Sequence, residues 1–176
     1  MVETIIRSVF DNLPADWEAV PEEMYVNRYL LFPLSADSTQ YKQLRPLFSR
    51  ANFRVSSIKR VQNPFQHGRY LLRKRMLNVE EEIVYHAVRR IDLPTALQCT
   101  CDFRRYARPY FDDIRHYTKD PRFYQTFNSL LHSIGTFEVV RPGELCVLVM
   151  NKLKSTTGMS QCDYVINYVV EFNNTM

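Results

Sequence analysis

Ile58-Lys59-Arg60-Val61-Gln62-Asn63-Pro64-Phe65, continued through Tyr70 to Lys74, is the stretch on which the fold turns. Val55, Ser57, Lys59 and Val61 alternate with Arg54, Ser56, Ile58 and Arg60, so Phe53 to Val61 has the two-residue period of a strand. Asn63-Pro64 stops that strand, because the residue before a proline avoids the helical region. Phe65 to Met76 then reads as a basic helix.

Outward from this unit, residues 24–34 alternate around Tyr25, Tyr29 and Leu31 and end at Pro33, the pattern of another strand. Ser38 to Ala51 predicts a helix capped by Ser38, with Tyr41, Leu44, Leu47 and Phe48 on one face and Pro46 as an interruption. Ile83 to Tyr85 predicts a short strand, Leu93 to Leu97 a short helix opened by Pro94, and Arg122 to Leu131 a helix or ordered turn. Phe137 to Val140, Leu145 to Met150 and Val165 to Phe172 are β-rich. Strands outweigh helices in the second half. The expectation is a single α+β domain over residues 1–176, with a lead-in over 1–23, antiparallel sheets and flanking helices. The lone Trp17 in that lead-in reads as a packing anchor.

A chain of 176 residues, 45% hydrophobic with only 4 glycines, can bury a core of its own and is not of disordered composition. No apolar run approaches the roughly 20 residues of a membrane span, and Met1 to Arg7 lacks a signal-peptide pattern. No membrane association is expected, and the location is taken as cytoplasm or nucleus. The cysteines Cys99, Cys101, Cys146 and Cys162 are read accordingly as reduced thiols; one C-x-C pair is a poor metal signature, so no metal is expected. The net charge of +4 is modest, but basic residues cluster at Arg69–Arg75, Arg89-Arg90 and Arg104–Arg108. Such runs suit a polyanion, RNA among them, or form a solvated basic face.

Three further segments join the opening stretch: Tyr85-His86-Ala87-Val88, Pro109-Tyr110-Phe111, and Asp163-Tyr164-Val165 leading to Asn167. Together these resemble the catalytic domain of the poly(ADP-ribose) polymerase family, most closely its mono-ADP-ribosyltransferase branch, over roughly Leu13 to Phe172. The resemblance implies an ADP-ribosyltransferase-like fold, NAD as co-substrate and transfer of ADP-ribose to protein side chains, a glycosyltransferase-class reaction. It implies that His86 meets the ribose hydroxyls and that the backbone at Ala87 holds the carboxamide. It also has Tyr110 stack on nicotinamide, Thr118 bond its amide, and Phe123 or Tyr124 supply a second aromatic face. Asn167 falls where polymerising members carry Glu. The implied catalytic positions are thus His86, Tyr110 and Asn167.

Departures from the family pattern accompany these matches. Ala87 and Val88 stand where the family has Gly-Thr, and the added Cβ of Ala87 is expected to crowd a closely approaching ligand. An amide at Asn167 cannot supply negative charge beside a developing oxocarbenium ion, so no polymer synthesis is expected. Glu171 would share a face with Asn167 about 13 Å further along a regular strand. The segment from His86 to Tyr110 is shorter than the family's, and the sequence ends before the family's closing strand. Two functions follow: a mono-ADP-ribosyltransferase, or a catalytically inactive relative that binds a protein or RNA partner.

Overall fold

The computed structural model describes residues 8, 11–19, 29–50, 52–98, 123–135, 141–154, 156 and 160–174. Five strands form one antiparallel sheet: β1 (Leu30–Pro33), β2 (Arg54–Gln62), β3 (Glu81–Arg89), β4 (Leu145–Leu153) and β5 (Tyr164–Asn173), in the order β1-β2-β5-β4-β3. Among the described residues four α-helices accompany it: α1 (Thr39–Phe48), α2 (Pro64–Leu77), α3 (Leu93–Gln98) and α4 (Phe127–Gly135). The chain is therefore α+β, with one antiparallel sheet and helices.

The strand-stop-helix reading of the opening stretch corresponds to β2 and α2. Asn63 is extended (φ −138°, ψ 99°), as its proline neighbour demands, and its side chain accepts hydrogen bonds from the amides of Phe65 and Gln66, both at 3.1 Å. Pro64 occupies the first helical turn, where no amide donor is needed. The helix closes at Asn78, whose left-handed conformation (φ 49°, ψ 47°) lets its amide reach the Lys74 carbonyl at 2.9 Å.

Other boundaries differ from the sequence expectation for local reasons. Ser38 caps α1, its side-chain oxygen accepting a hydrogen bond from the Tyr41 amide at 3.2 Å, and Pro46 sits within the helix. Pro46 stands in the last turn, where it deprives the Lys42 carbonyl of its i+4 amide partner, and the helix ends at Phe48 rather than Ala51. Strand β3 runs through nine residues, not the three of Ile83 to Tyr85, because its charged ends find partners: Glu81 with Lys74 and Tyr70, Arg89 with Asp92. Helix α4 begins at Phe127 instead of Arg122; Thr126 Oγ1 accepts from the Ser129 amide at 3.1 Å, and Tyr124 is held in extended pairing. Of the strand expected over 24–34, Leu30–Pro33 is observed and 24–28 lie outside the described residues, as does Phe137 to Val140.

Alternation along the strands separates two apolar clusters. Val84 and Val88 of β3, Cys146, Leu148 and Met150 of β4 and Val169 of β5 pack with Leu93, Ala96 and Leu97 around α3. Tyr85, Val147, Val149, Val170 and Phe172 belong to the other cluster, under Phe48 of α1 and Phe127 and Leu130 of α4. Phe127 and Phe172 stack there with ring centroids 5.5 Å apart and planes at 5°. Tyr70 of α2 packs with Leu153 and Val165 in a smaller third cluster.

Candidate functional site

His86 shares the parity of Val84 and Val88 on β3, so its ring enters the first cluster and is only 7% exposed. Its position opposes Leu148 of β4. Phe123 reaches it from a distant part of the chain, with ring centroids 5.9 Å apart in an edge-on arrangement. Phe123 in turn lies 5.2 Å from the ring of Tyr164 on β5. The juxtaposition has a backbone cause. Tyr124 pairs with Tyr85 through two hydrogen bonds, Tyr85 N–H to Tyr124 O at 2.7 Å and Tyr124 N–H to Tyr85 O at 2.9 Å. With Tyr124 opposite Tyr85, alternation brings Phe123 to the face of His86 and leaves Tyr124 on the other.

Of Phe123 and Tyr124, Phe123 is the one beside His86. Tyr124 packs against the second cluster, its hydroxyl 2.6 Å from Ser133 Oγ. Ala87 also packs with the second cluster. Its methyl points away from the His86 face, because adjacent residues of a strand face opposite sides. The crowding expected of its Cβ therefore does not arise on that face. Tyr110 and Thr118 lie outside the described residues.

Asn167 stands apart from His86. In the β4–β5 ladder Val149 pairs with Tyr168 and Met150 with Ile166, so Asn167 is the extra residue of a bulge. Its Nδ2 donates to Asn151 Oδ1 at 3.0 Å. Asn151 has the parity of Val147 and Val149, so this amide pair occupies the face opposite to His86. The bulge also breaks the two-residue period on which a shared face for Asn167 and Glu171 depended. Glu171 pairs with Cys146 and so lies on the His86 side of the sheet.

Glu171 is 8% exposed and bonded to Lys59 Nζ at 2.8 Å, Arg90 at 3.2 Å and the Ser57 hydroxyl. Burial pushes its carboxyl pKa up, but the bonds from Lys59 and Ser57 and the two nearby cations together hold it below the ordinary value. This is a satisfied ion cluster. Its neighbour Cys146 is fully buried, which pushes the thiol up to about 11 and leaves it protonated and unreactive. Among the described residues no group of three or more His, Cys, Asp or Glu side chains could hold a metal ion, and no helix is long and apolar enough to cross a membrane.

The face opposite His86 carries a cleft of about 290 Å³, lined among others by Trp17, Arg60, His67, Asn151, Asn167 and Tyr168. It forms where the β2–β5 ladder ends at Arg60↔Tyr168 and β2 leaves toward α2. The lead-in closes one side: Gln62, buried in β2, exchanges two hydrogen bonds with the Glu18 backbone at 2.7 and 3.0 Å, and the Trp17 ring lies 5.3 Å from His67. Burial pulls the His67 imidazole below its ordinary pKa, against the opposing effect of Glu81, so it is neutral at pH 7. Sequence reasoning reached Trp17 as an anchor and Asn167 as a site residue. It missed Asn151 and Tyr168, which flank an unheralded bulge, and His67, which α2 brings against Trp17. No protein-family model and no curated protein matches the chain.

Proposed function

We propose that this chain is an ADP-ribosyltransferase-like domain that takes NAD on the His86 face and transfers single ADP-ribose units to protein side chains. The observation that supports this reading is the meeting of His86 and Phe123, rings from segments 37 residues apart brought within 5.9 Å. An imidazole beside an aromatic face suits a ribose hydroxyl next to a flat ring. In this reading His86 bonds the ribose hydroxyls and Phe123 supplies a face for nicotinamide. As the nicotinamide–ribose bond breaks, the acceptor side chain forms its bond to the same anomeric carbon, and the acceptor's proton passes to solvent or a nearby base. Asn167 has no part in this chemistry from the other side of the sheet, so chain elongation is not expected.

The test is calorimetry of NAD binding, followed by intact-mass analysis after incubation with NAD and an acceptor protein. Saturable binding abolished by His86→Ala, with addition of single ADP-ribose units, is the expected result. A second reading is favoured by the burial of His86 at 7% beneath Phe123, which itself packs on Tyr164: an inactive relative that binds a protein or RNA partner. No heat of NAD binding by the folded protein would decide for that reading.

A further inference from the structure

The cleft on the opposite face of the sheet has a lining that neither reading uses. Its aromatic surface comes from Trp17, His67 and Tyr168. Its cations are already matched: Arg60 faces Asp16 at 3.6 Å and Glu18 at 3.7 Å, and Lys74 holds Glu81 at 3.0 Å. The lining therefore favours an uncharged ring over a polyphosphate. At about 290 Å³ the cleft is at the small end for ligand pockets, the size of one heterocycle with its sugar rather than a dinucleotide.

Asn167 gives the cleft its hydrogen-bonding character. One Nδ2 hydrogen is committed to Asn151 Oδ1. The second Nδ2 hydrogen and Oδ1 bond no described residue, so a donor and an acceptor stand side by side at the cleft wall. A free carboxamide edge beside aromatic rings is the arrangement that pairs with the N6 amino group and N7 of adenine. The bulge makes this possible: Asn167 has no cross-strand partner and the ladder to β2 ends next to it.

We propose that this cleft binds an adenine ring, with Asn167 bonding its N6–N7 edge and Trp17, His67 and Tyr168 covering its faces. The ring belongs either to a free adenosine compound or to an adenine of single-stranded RNA. The site is separate from the proposed NAD site and stands or falls without it.

Trp17 is the single tryptophan of the sequence, so its fluorescence reports on this cleft alone. Titration with adenosine, uridine and a short single-stranded oligoadenylate, with absorbance correction and parallel calorimetry, tests the proposal. Saturable change with adenosine, weaker with uridine, is expected. Asn167→Ala should weaken it by about tenfold to a hundredfold, the cost of losing a bidentate base contact. Asn167→Asp, which keeps an acceptor but loses the donor, serves as a second variant should Asn167→Ala not fold by circular dichroism. His86→Ala should bind adenosine unchanged, which separates this site from the NAD site. Saturation by adenosine but not oligoadenylate identifies a free nucleoside as the ligand; tighter binding of oligoadenylate identifies RNA. Absence of saturation with both probes, full binding by a folded Asn167 variant, or loss of binding in His86→Ala would overturn the assignment.

Discussion

Glu171 keeps a charge inside the sheet because Lys59, Arg90 and Ser57 all reach it. Removing the charge with Glu171→Gln should lower stability by about 2 kcal/mol, the scale of hydrogen bonds to a charged group, with Lys59 and Arg90 free to turn toward water. Urea denaturation at pH 7 measures this. The pH dependence has a definite sign. A carboxyl held below its ordinary value of 4.5 contributes stability that is present above pH 4.5 and lost as pH falls through the folded-state value. The wild-type and Glu171→Gln proteins should therefore converge in stability below pH 4.5; a difference that persists undiminished at lower pH would show that the charge is not the cause. Ala87 gives a second expectation at this scale. Its methyl packs in the cluster away from His86, so Ala87→Gly should leave NAD affinity unchanged and cost about 1 kcal/mol through backbone freedom and lost contacts. Tighter NAD binding by Ala87→Gly would contradict that placement.

Helix α2 owes both its ends to asparagines. Asn63 satisfies two amides at the start, and Asn78 turns left-handed at the finish. Asn63→Ala should cost about 1 kcal/mol, within the range for lost caps. Asn78→Ala should cost about as much again, because alanine resists positive φ, whereas Asn78→Gly should be neutral or stabilising. Thermal denaturation of the three variants checks this, and Asn78→Ala as stable as Asn78→Gly would remove the argument. These ends were legible in the sequence to different degrees. Asn63-Pro64 announces a stop through sterics confined to two residues. Asn78 follows a run of basic residues with no break in pattern. Strand β3 is longer than its sequence pattern suggests because Glu81, Glu82 and Arg89 look like solvated charges, yet each bonds a side chain outside the strand's own alternation: Lys74, Lys152 and Asp92.

Across the whole molecule, elements whose signals are local could be read in advance. The alternation in β2 and the β-rich runs of β4 and β5 point to an α+β chain with antiparallel strands, and the sheet has that character. The site was legible only where it depended on alternation. His86 and Phe123 meet because Tyr124 docks on Tyr85 at the edge of β3, and no residue-by-residue pattern states which strand edge receives it. Asn167 is assigned by the resemblance of Asp163-Tyr164-Val165 to the family's motif, and the face it shares with Glu171 is counted along β5 as though the strand were regular. A bulge is one residue of excess set by the pairing of two strands, so it is invisible in either strand alone. That single residue moves the predicted third site position to the opposite face of the sheet.

That displacement makes the outcome of restoring a carboxylate predictable. If Asn167 stood beside His86, Asn167→Glu would place a negative charge next to the ribose and could promote elongation. From the opposite face it reaches no atom of the proposed NAD site, and within the cleft it replaces the donor that Asn167 extends to Asn151. Two carboxylates, Glu81 and the new one, would then share the neighbourhood of Asn151 and the cleft lining. Asn167→Glu is accordingly expected to make no ADP-ribose polymer, to leave NAD binding within twofold of wild type by calorimetry, and to lose stability by about 1–3 kcal/mol through an unpaired polar group in a partly buried position. Incubation with labelled NAD and gel analysis, together with urea denaturation, measures all three. A ladder of polymer from Asn167→Glu would place this residue at the His86 site and overturn both the bulge register and the separation of the two faces.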